Sequence, residues 1–319
     1  MRAIRFHEYG DESVLQVDDV DRPEATGHDV VVEVAGAGVN PVDTYFREGS
    51  YEPFQLPMIP GVDVAGEVVE VSQYVDDYEV GDQVVGTGLS MNHFGAYAEY
   101  AAVPEDRLAH LPDGVDPVAA GGAGVAAVTA WRALVDHAGL QPAESVLVHG
   151  GSGGVGHAAV QLAAAAGAHV VTTAAPQYHD HLTELGADAV FDYASDDLQE
   201  EVRAETGGVD VVLDHRLDDY LQFDAEVAAT GGRVVGIGEN DPEVGFTNDG
   251  VARGKDVSYQ FMSMFNTPRL ADPLERVAYL MGTGDLEIDV ARTYDLEEAA
   301  DAQRDVMADS FLGKLVVTP

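Results

Sequence analysis

The sequence predicts an α/β protein of two domains: one mostly β and closed by both ends of the chain, the other a doubly wound parallel sheet. Three observations lead there. Residues 1–115 read as short Val-rich runs broken by Gly, Pro and Asp, the pattern of a small β-domain. From Pro117 onward strand-like runs alternate with helical ones, which means βαβ units and a parallel sheet. After Asp272 the pattern mixes again and too little chain remains for a third domain, so the tail is assigned to the first. The expected domains are 1–116 with 272–319, and 117–271.

In the first domain the expected strands are AIRF (3–6), DVVVEVAGAG (29–38), VAGEVVEV (64–71), QVVGTG (83–88) and AYAEYAAV (96–103). Residues 41–48 should form a short helix with Asn40 as N-cap and Pro41 at the first helical position, where its missing N–H has no partner to lose. An Ala-rich helix over 117–138 opens the second domain. Then come SVLVH (145–149), a helix over 154–166, HVVTT (169–173), a helix near 179–185, AVF (189–191), VDVVLD (209–214) and RVVGIG (233–238). These strands are Val-rich with little alternation, as a sheet covered on both faces requires. Helices over 273–281 and 296–308 and a last strand, KLVV (314–317), complete the chain. The run 257–262 offers an outer strand, and with it an edge for a homodimer.

Composition narrows the function classes. With 319 residues and 46% hydrophobic content, the chain can bury two cores. It holds no 18-residue apolar run, so no membrane span is expected. Its start, MRAIRFHEYGDESV, lacks the apolar centre of a signal peptide, so the expected location is the cytoplasm. There are no cysteines, which excludes disulfides, cysteine nucleophiles and every cysteine-based zinc or iron–sulfur site. Asp plus Glu number 57 against 16 Lys plus Arg, a net charge of −41. Only Lys255 and Lys314 are lysines. The acids are spread through apolar-periodic sequence, so they belong to the surface of a folded protein, as in chains adapted to molar salt, where charge repulsion is screened to a few ångströms. Such a charge argues against nucleic-acid and anionic-membrane partners, which need basic patches.

The stretch VHGGSGGVGHA (148–158) joins an expected strand to an expected helix and contains G-x-G-x-x-G as Gly151, Gly153 and Gly156. Glycines there allow a tight turn and let the backbone of Gly151, Ser152, Gly153, Gly154 and Val155 approach a pyrophosphate at the helix N-terminus. The same residues fit G-x-S-x-G, with Ser152 as a hydrolase nucleophile. That reading needs a later histidine, and none follows His215. The dinucleotide is therefore preferred; a Gly-rich turn without ligand is the third reading. A site for NAD usually carries an acid at the end of the second strand. Here that strand ends Thr172-Thr173-Ala174-Ala175, which favours NADP(H) over NAD(H). No Arg is present to meet a 2′-phosphate, and His179, His181 and Tyr193 are the candidate replacements.

Taken together, GVNPVDTYFREGSY (38–51), LPMIPGVDVAGEV (56–68), VGDQVVG (80–86), GGAGVAAVTAWRAL (121–134), VLVHGGSGGVGHAAVQLA (146–163), LGADAVFDY (185–193) and GKLVV (313–317) resemble the medium-chain dehydrogenase/reductase superfamily, in its zinc-free quinone oxidoreductase branch. The resemblance runs nearly end to end. It implies a GroES-like β-domain, a Rossmann domain and often a homodimer. Where zinc-dependent relatives carry a Cys and a His, this chain has Asn40 and Val62, so the resemblance implies no zinc.

Without a Lewis acid the expected acceptor is already electron-poor: a quinone, or a C=C bond conjugated to a carbonyl. The resemblance places Asn40, Tyr45 and Tyr51 near the nicotinamide, where their N–H and O–H groups can donate to a developing oxyanion. Asp43 is read as structural, in a helix first turn. Thr129 matches a residue approaching the nicotinamide side, and Tyr193 one near the adenosine phosphate. Gly236 and Gly238 should let the nicotinamide half lie against the backbone. Lys314 is assigned to a phosphate or to a structural salt bridge, and His215 and Arg216 to the cofactor or to ion pairs. The leading expectation is an NADPH-dependent quinone oxidoreductase. The alternatives are an enone or alkenal reductase of the same fold, a serine hydrolase, and a non-catalytic dinucleotide-binding protein.

Overall fold

The computed structural model describes residues 1–308 and 310–319. They fall into two compact units, Met1–Val128 with Thr267–Pro319, and Thr129–Asn266.

The first unit begins with strand β1 (Arg2–Arg5) paired antiparallel to β2 (Gln16–Asp19). The long strand β3 (Asp29–Val39) follows and leads directly into helix α1 (Pro41–Glu48). Next come β4 (Val64–Val71), β5 (Gln83–Gly86), β6 (Tyr100–Pro104), β7 (Leu108–His110) and the short helix α2 (Pro117–Gly121). The expected single helix over 117–138 is broken: α2 ends at Gly121 with Gly122 as its C-cap, and α3 (Ala123–Trp131) continues as a π-helical turn over Arg132–His137. The division between the units falls within α3, not ahead of Pro117.

The second unit is an unbroken parallel sheet. Its strands are β8 (Ser145–Val148), β9 (His169–Ala174), β10 (Ala189–Asp192), β11 (Val209–Asp214), β12 (Ala228–Gly236) and β13 (Ser258–Phe261). They lie in the order β10-β9-β8-β11-β12-β13, and every pairing is parallel. The order reverses at β8, so the cleft outside the carboxyl ends of β8 and β11 is where such a sheet binds ligand. Intervening helices are α4 (Gly154–Ala165), α5 (His179–Glu184), α6 (Leu198–Thr206), α7 (Leu217–Val227) and α8 (Asp249–Gly254). Leu147, Val171, Val212 and Val234 from the strands pack on Leu198 and Val202 of α6 and on Val227. The Lys255 ammonium caps the end of α7, donating to the carbonyls of Ala225, Glu226 and Ala228 at 2.9, 2.6 and 2.8 Å. β13 is an edge strand and leaves Phe261 67% exposed.

The chain then re-enters the first unit with α9 (Ala271–Thr283), β14 (Val290–Asp295), α10 (Ala299–Ala308) and β15 (Lys314–Thr318). β15 pairs with β3 antiparallel, Leu315 against Val39, and extends the sheet to the order β14-β15-β3-β4-β5-β7, with β6 also on β3. Both chain ends therefore build one β-domain, whose core includes Val30, Val32, Val64, Val84, Leu108, Leu315 and Val317.

Candidate functional site

In the second unit the glycine turn occupies the switch point. Gly150 has φ +70, a left-handed conformation that only glycine adopts cheaply. Its N–H donates to Thr173 Oγ1 at 3.1 Å, and the Gly151 N–H to Thr173 O at 2.8 Å, so the end of β9 holds the turn. A Cβ on Gly151 would lie 2.1 Å from Thr172 Oγ1, and one on Gly156 2.1 Å from Gly150 O. Those two glycines are required by packing. Gly153 is different: a Cβ there would come no closer than 3.4 Å to its nearest neighbour, so the space outside it is open. No side chain caps α4 at Gly153. A twelve-residue helix thus presents an uncapped N-terminus and its positive dipole end to an open cradle, which fits the pyrophosphate of a dinucleotide.

Thr173 and Ala174, predicted at the adenosine end, are 1% exposed and close β9 without a carboxylate. His179 Nε2 lies 3.1 Å from Ala174 O and His181 Nδ1 3.9 Å from Glu184, while Tyr193 is 54% exposed. Gly238 lies beside His215, whose carbonyl would be 3.2 Å from an added Cβ. Gly236 departs from expectation: a Cβ there would meet Leu217 Cδ1 at 2.4 Å, so α7 packing fills the space meant for a ligand. Thr129 is a buried residue of α3. Arg216 pairs with Asp219 and, at 3.7 Å, with Asp218, so it serves the first turn of α7. Ser152 is half-buried and, among the described residues, no histidine hydrogen bonds to it, which removes the base that a hydrolase needs.

In the first unit, α1 and the loop after it bring Tyr45 and Tyr51 into an edge-to-face pair with centroids 5.9 Å apart. Tyr45 is half-buried and Tyr51 is 45% exposed. Asn40 holds the N-cap position, but its side chain does not cap the helix. Its Nδ2 donates to Asp63 Oδ2 at 2.8 Å and to Gly38 O at 3.3 Å, and its Oδ1 accepts from Lys314 Nζ at 2.5 Å. Asn40 is 2% exposed with both amide hydrogens taken, so the role of free donor to an acceptor is corrected. Lys314 takes the structural one of its two expected roles, through an amide oxygen and a carbonyl. It is 4% exposed, and its second bond goes to Val39 O at 2.8 Å, so it reaches no phosphate.

Around that contact lies a buried charge cluster. Asp63 Oδ1 accepts from Thr87 Oγ1 at 2.6 Å and from the Val125 N–H at 2.8 Å. Asp43 accepts from the Asn40 N–H at 2.9 Å, the Val62 N–H at 3.0 Å and Tyr97 OH at 3.2 Å, which makes it the structural acid expected. Burial pushes the Asp43 carboxyl up to about 7, and the backbone N–H of Asn40 opposes the rise. Burial lowers the Lys314 ammonium, against the attraction of Asp63 and Asp43. The cluster offers an ammonium, an amide and two carboxylates whose lone pairs are already engaged. With no cysteine in the chain, and an ammonium seated on Asn40, this set does not fit a zinc ion. Among the described residues no group of three His, Cys, Asp or Glu gathers as a metal site elsewhere.

A Rossmann sheet of order 3-2-1-4-5-6 with a glycine turn at its switch point, carried on one chain with a GroES-like β-domain closed by the C-terminal strand, defines an oxidoreductase of the medium-chain dehydrogenase/reductase class. Residues 26–113 match the alcohol dehydrogenase GroES-like domain, and residues 185–317 match the zinc-binding dehydrogenase family. The quinone oxidoreductase of Lama guanicoe is 34% identical over 329 residues, covering 99% of this chain and 97% of that protein. Among solved structures, an NAD-dependent alcohol dehydrogenase superposes with TM-score 0.93 at 29% identity, covering 100% of both chains. The Escherichia coli quinone oxidoreductase complexed with NADPH does so with TM-score 0.88 at 27% identity, again over 100% of both. The chain belongs to the quinone oxidoreductase family of that class.

Proposed function

We propose that the protein reduces quinones, or similarly electron-poor acceptors, with NADPH and without a metal. The observation that carries this reading is the Lys314 ammonium on Asn40: the residues that would face a zinc ion are committed to one another, so the acceptor must be reactive unaided. The cofactor supplies the hydride. The backbone of Gly151, Ser152, Gly153, Gly154 and Val155 would hold its pyrophosphate at the start of α4, and Gly238 and Thr129 its nicotinamide half. The acid-free end of β9 at Thr173 and Ala174, with His179 and Tyr193 beyond it, supports a 2′-phosphate over a free ribose hydroxyl. Relatives that bind NADPH support the same choice. Tyr45 and Tyr51 donate hydrogen bonds to the acceptor oxygen as charge develops there, while Asn40 positions the start of α1. The molecule is further proposed to be a cytoplasmic homodimer using the free edge of β13, which size-exclusion chromatography of wild type against a Phe261→Asp variant would test.

Absorbance at about 340 nm in high salt tests the reading. NADPH is expected to be consumed with a quinone and spared with an enone, and NADH to be the poorer donor. Consumption with the enone alone would replace quinone reductase by double-bond reductase. Tight NADPH binding without turnover on any acceptor would leave a non-catalytic protein.

A further inference from the structure

The end of β11 carries a side chain that the fold holds in place and leaves without a partner. His215 is the first residue after β11 and precedes α7 by one position. The Ile237 N–H donates to Asp214 O at 2.8 Å and the Leu217 N–H to Gly238 O at 3.2 Å, so the backbone on either side of His215 is fixed to the segment that follows β12. The His149 N–H donates to Leu213 O at 3.0 Å, which ties the same end of β11 to the start of the glycine turn. The imidazole lies against the first glycine of that turn: its Nε2 would be 2.8 Å and its Cε1 3.0 Å from a Cβ on Gly150. Gly150 is therefore required twice, for its φ of +70 and for the room that the ring occupies.

His215 is exposed, and among the described residues its ring nitrogens have no hydrogen-bond partner and form no ion pair. An imidazole carries at least one N–H in either protonation state, so a donor stands free beside the turn. The neighbouring basic side chains are committed. His149 is wholly buried, with Nε2 2.9 Å from Asp224 Oδ1, and the Arg216 guanidinium is held by Asp218 and Asp219. Those two acids sit in the first turn of α7 and make this end of the sheet unfavourable to an anion. A free N–H between them and the turn opposes that effect.

The order of the sheet assigns the ring to one half of a bound dinucleotide. The pyrophosphate meets the start of α4 after β8, and the adenosine ribose lies toward the end of β9, so the other half crosses the ends of β11 and β12. His215 and Gly238 stand there, with the ring beside Gly150 on the phosphate side. We propose that His215 is a cofactor-binding residue whose imidazole donates a hydrogen bond to the ribose 5′-phosphate of the nicotinamide half. The inference rests on the dinucleotide reading of the turn. It adds a side-chain donor to a cradle otherwise built from backbone N–H groups.

The test is the Kd of NADPH, 2′-phospho-ADP-ribose and 2′,5′-ADP by calorimetric titration in high salt, for wild type, His215→Leu and His215→Gln. Leucine fills the space beside Gly150 without a donor, and glutamine keeps an N–H. NADPH and 2′-phospho-ADP-ribose both contain the ribose phosphate in question, and 2′,5′-ADP lacks it. In His215→Leu the first two are expected to bind about tenfold more weakly, the loss of one hydrogen bond to a charged group, while 2′,5′-ADP binds as it does to wild type. His215→Gln is expected to recover most of the loss. Because the side chain is exposed, both variants should melt like wild type. If His215→Leu binds NADPH as tightly as wild type, the inference is overturned while the cofactor reading stands. An equal loss for all three ligands also overturns it, since that marks a general disturbance of the turn. Weakening of NADPH alone overturns it in favour of a contact with the nicotinamide ring. Wild type that binds none of the three overturns both readings.

Discussion

Lys314→Met removes the only ammonium from a cluster holding two buried carboxylates. In wild type Lys314 Nζ bonds to Asn40 Oδ1 and Val39 O, and Asn40 in turn bonds to Asp63. The variant leaves two acceptors unpaired and the cluster with a charge of up to −2. Breaking a buried pair by deleting one partner costs about 3–5 kcal/mol, and the stranded carbonyls raise the figure within that range rather than above it. The loss should depend on pH, with a definite sign. Asp43 has a folded-state value already raised to about 7, and Asp63 is raised as well, both by burial. Without Lys314 both rise further above their unfolded values. A folded state that binds more protons than the unfolded state loses stability as pH climbs, so the deficit should be smaller near pH 5.5 than near pH 8. Urea unfolding followed by circular dichroism in about 2 M KCl measures it. Lys314→Met/Asp63→Asn, which deletes one charge of each sign, should recover more than half of the loss. A single variant within about 1 kcal/mol of wild type at pH 8, or an equal deficit at both pH values, would show that the ammonium is not the counter-charge of this cluster.

Two further outcomes follow from features already described. Gly151→Ala places a methyl 2.1 Å from Thr172 Oγ1, so NADPH affinity should fall at least about tenfold, whereas Gly153→Ala meets only an ordinary contact at 3.4 Å and should melt like wild type; equal melting temperatures and affinities for both variants would refute the packing argument. With a net charge of −41, the melting temperature should drop when KCl is lowered from about 2 M to about 0.1 M; a melting temperature independent of salt would remove the proposed adaptation to a saline cytoplasm.

Local signals were readable in the sequence, and long-range ones were not. VAGEVVEV predicts a strand and forms β4 over the same residues, because one chemical pattern decides it. The glycine turn was equally legible, since strand, turn and helix are contiguous. α6 and α7, LQEEVRAET and LDDYLQFDAEV, went unread: acids coat their outer faces so densely that the apolar stripe is thin. β14, VARTYD, hid for a related reason, having one buried residue, Tyr294, on a polar strand. The Asn40–Lys314 bond joins positions 274 residues apart, and His149–Asp224 joins positions 75 apart. No spacing rule spans such distances. The partner that occupies the Asn40 amide oxygen arrives with β15, which lies beside β3.

The fate of the two lysines reaches past the fold into how this protein can be handled. Lys255 is bound to three carbonyls and Lys314 is buried, while the terminal ammonium donates to Val20 O at 2.7 Å. Reagents that seek primary amines (succinimidyl esters, glutaraldehyde, amine-coupling surfaces) meet almost no reactive nitrogen on the native molecule. Tryptic maps will report arginine spacing alone over most of the chain. Immobilisation is better directed at the abundant carboxylates, through carbodiimide chemistry, and slow acylation of Lys314 becomes a direct clock for opening of the β3–β15 seam.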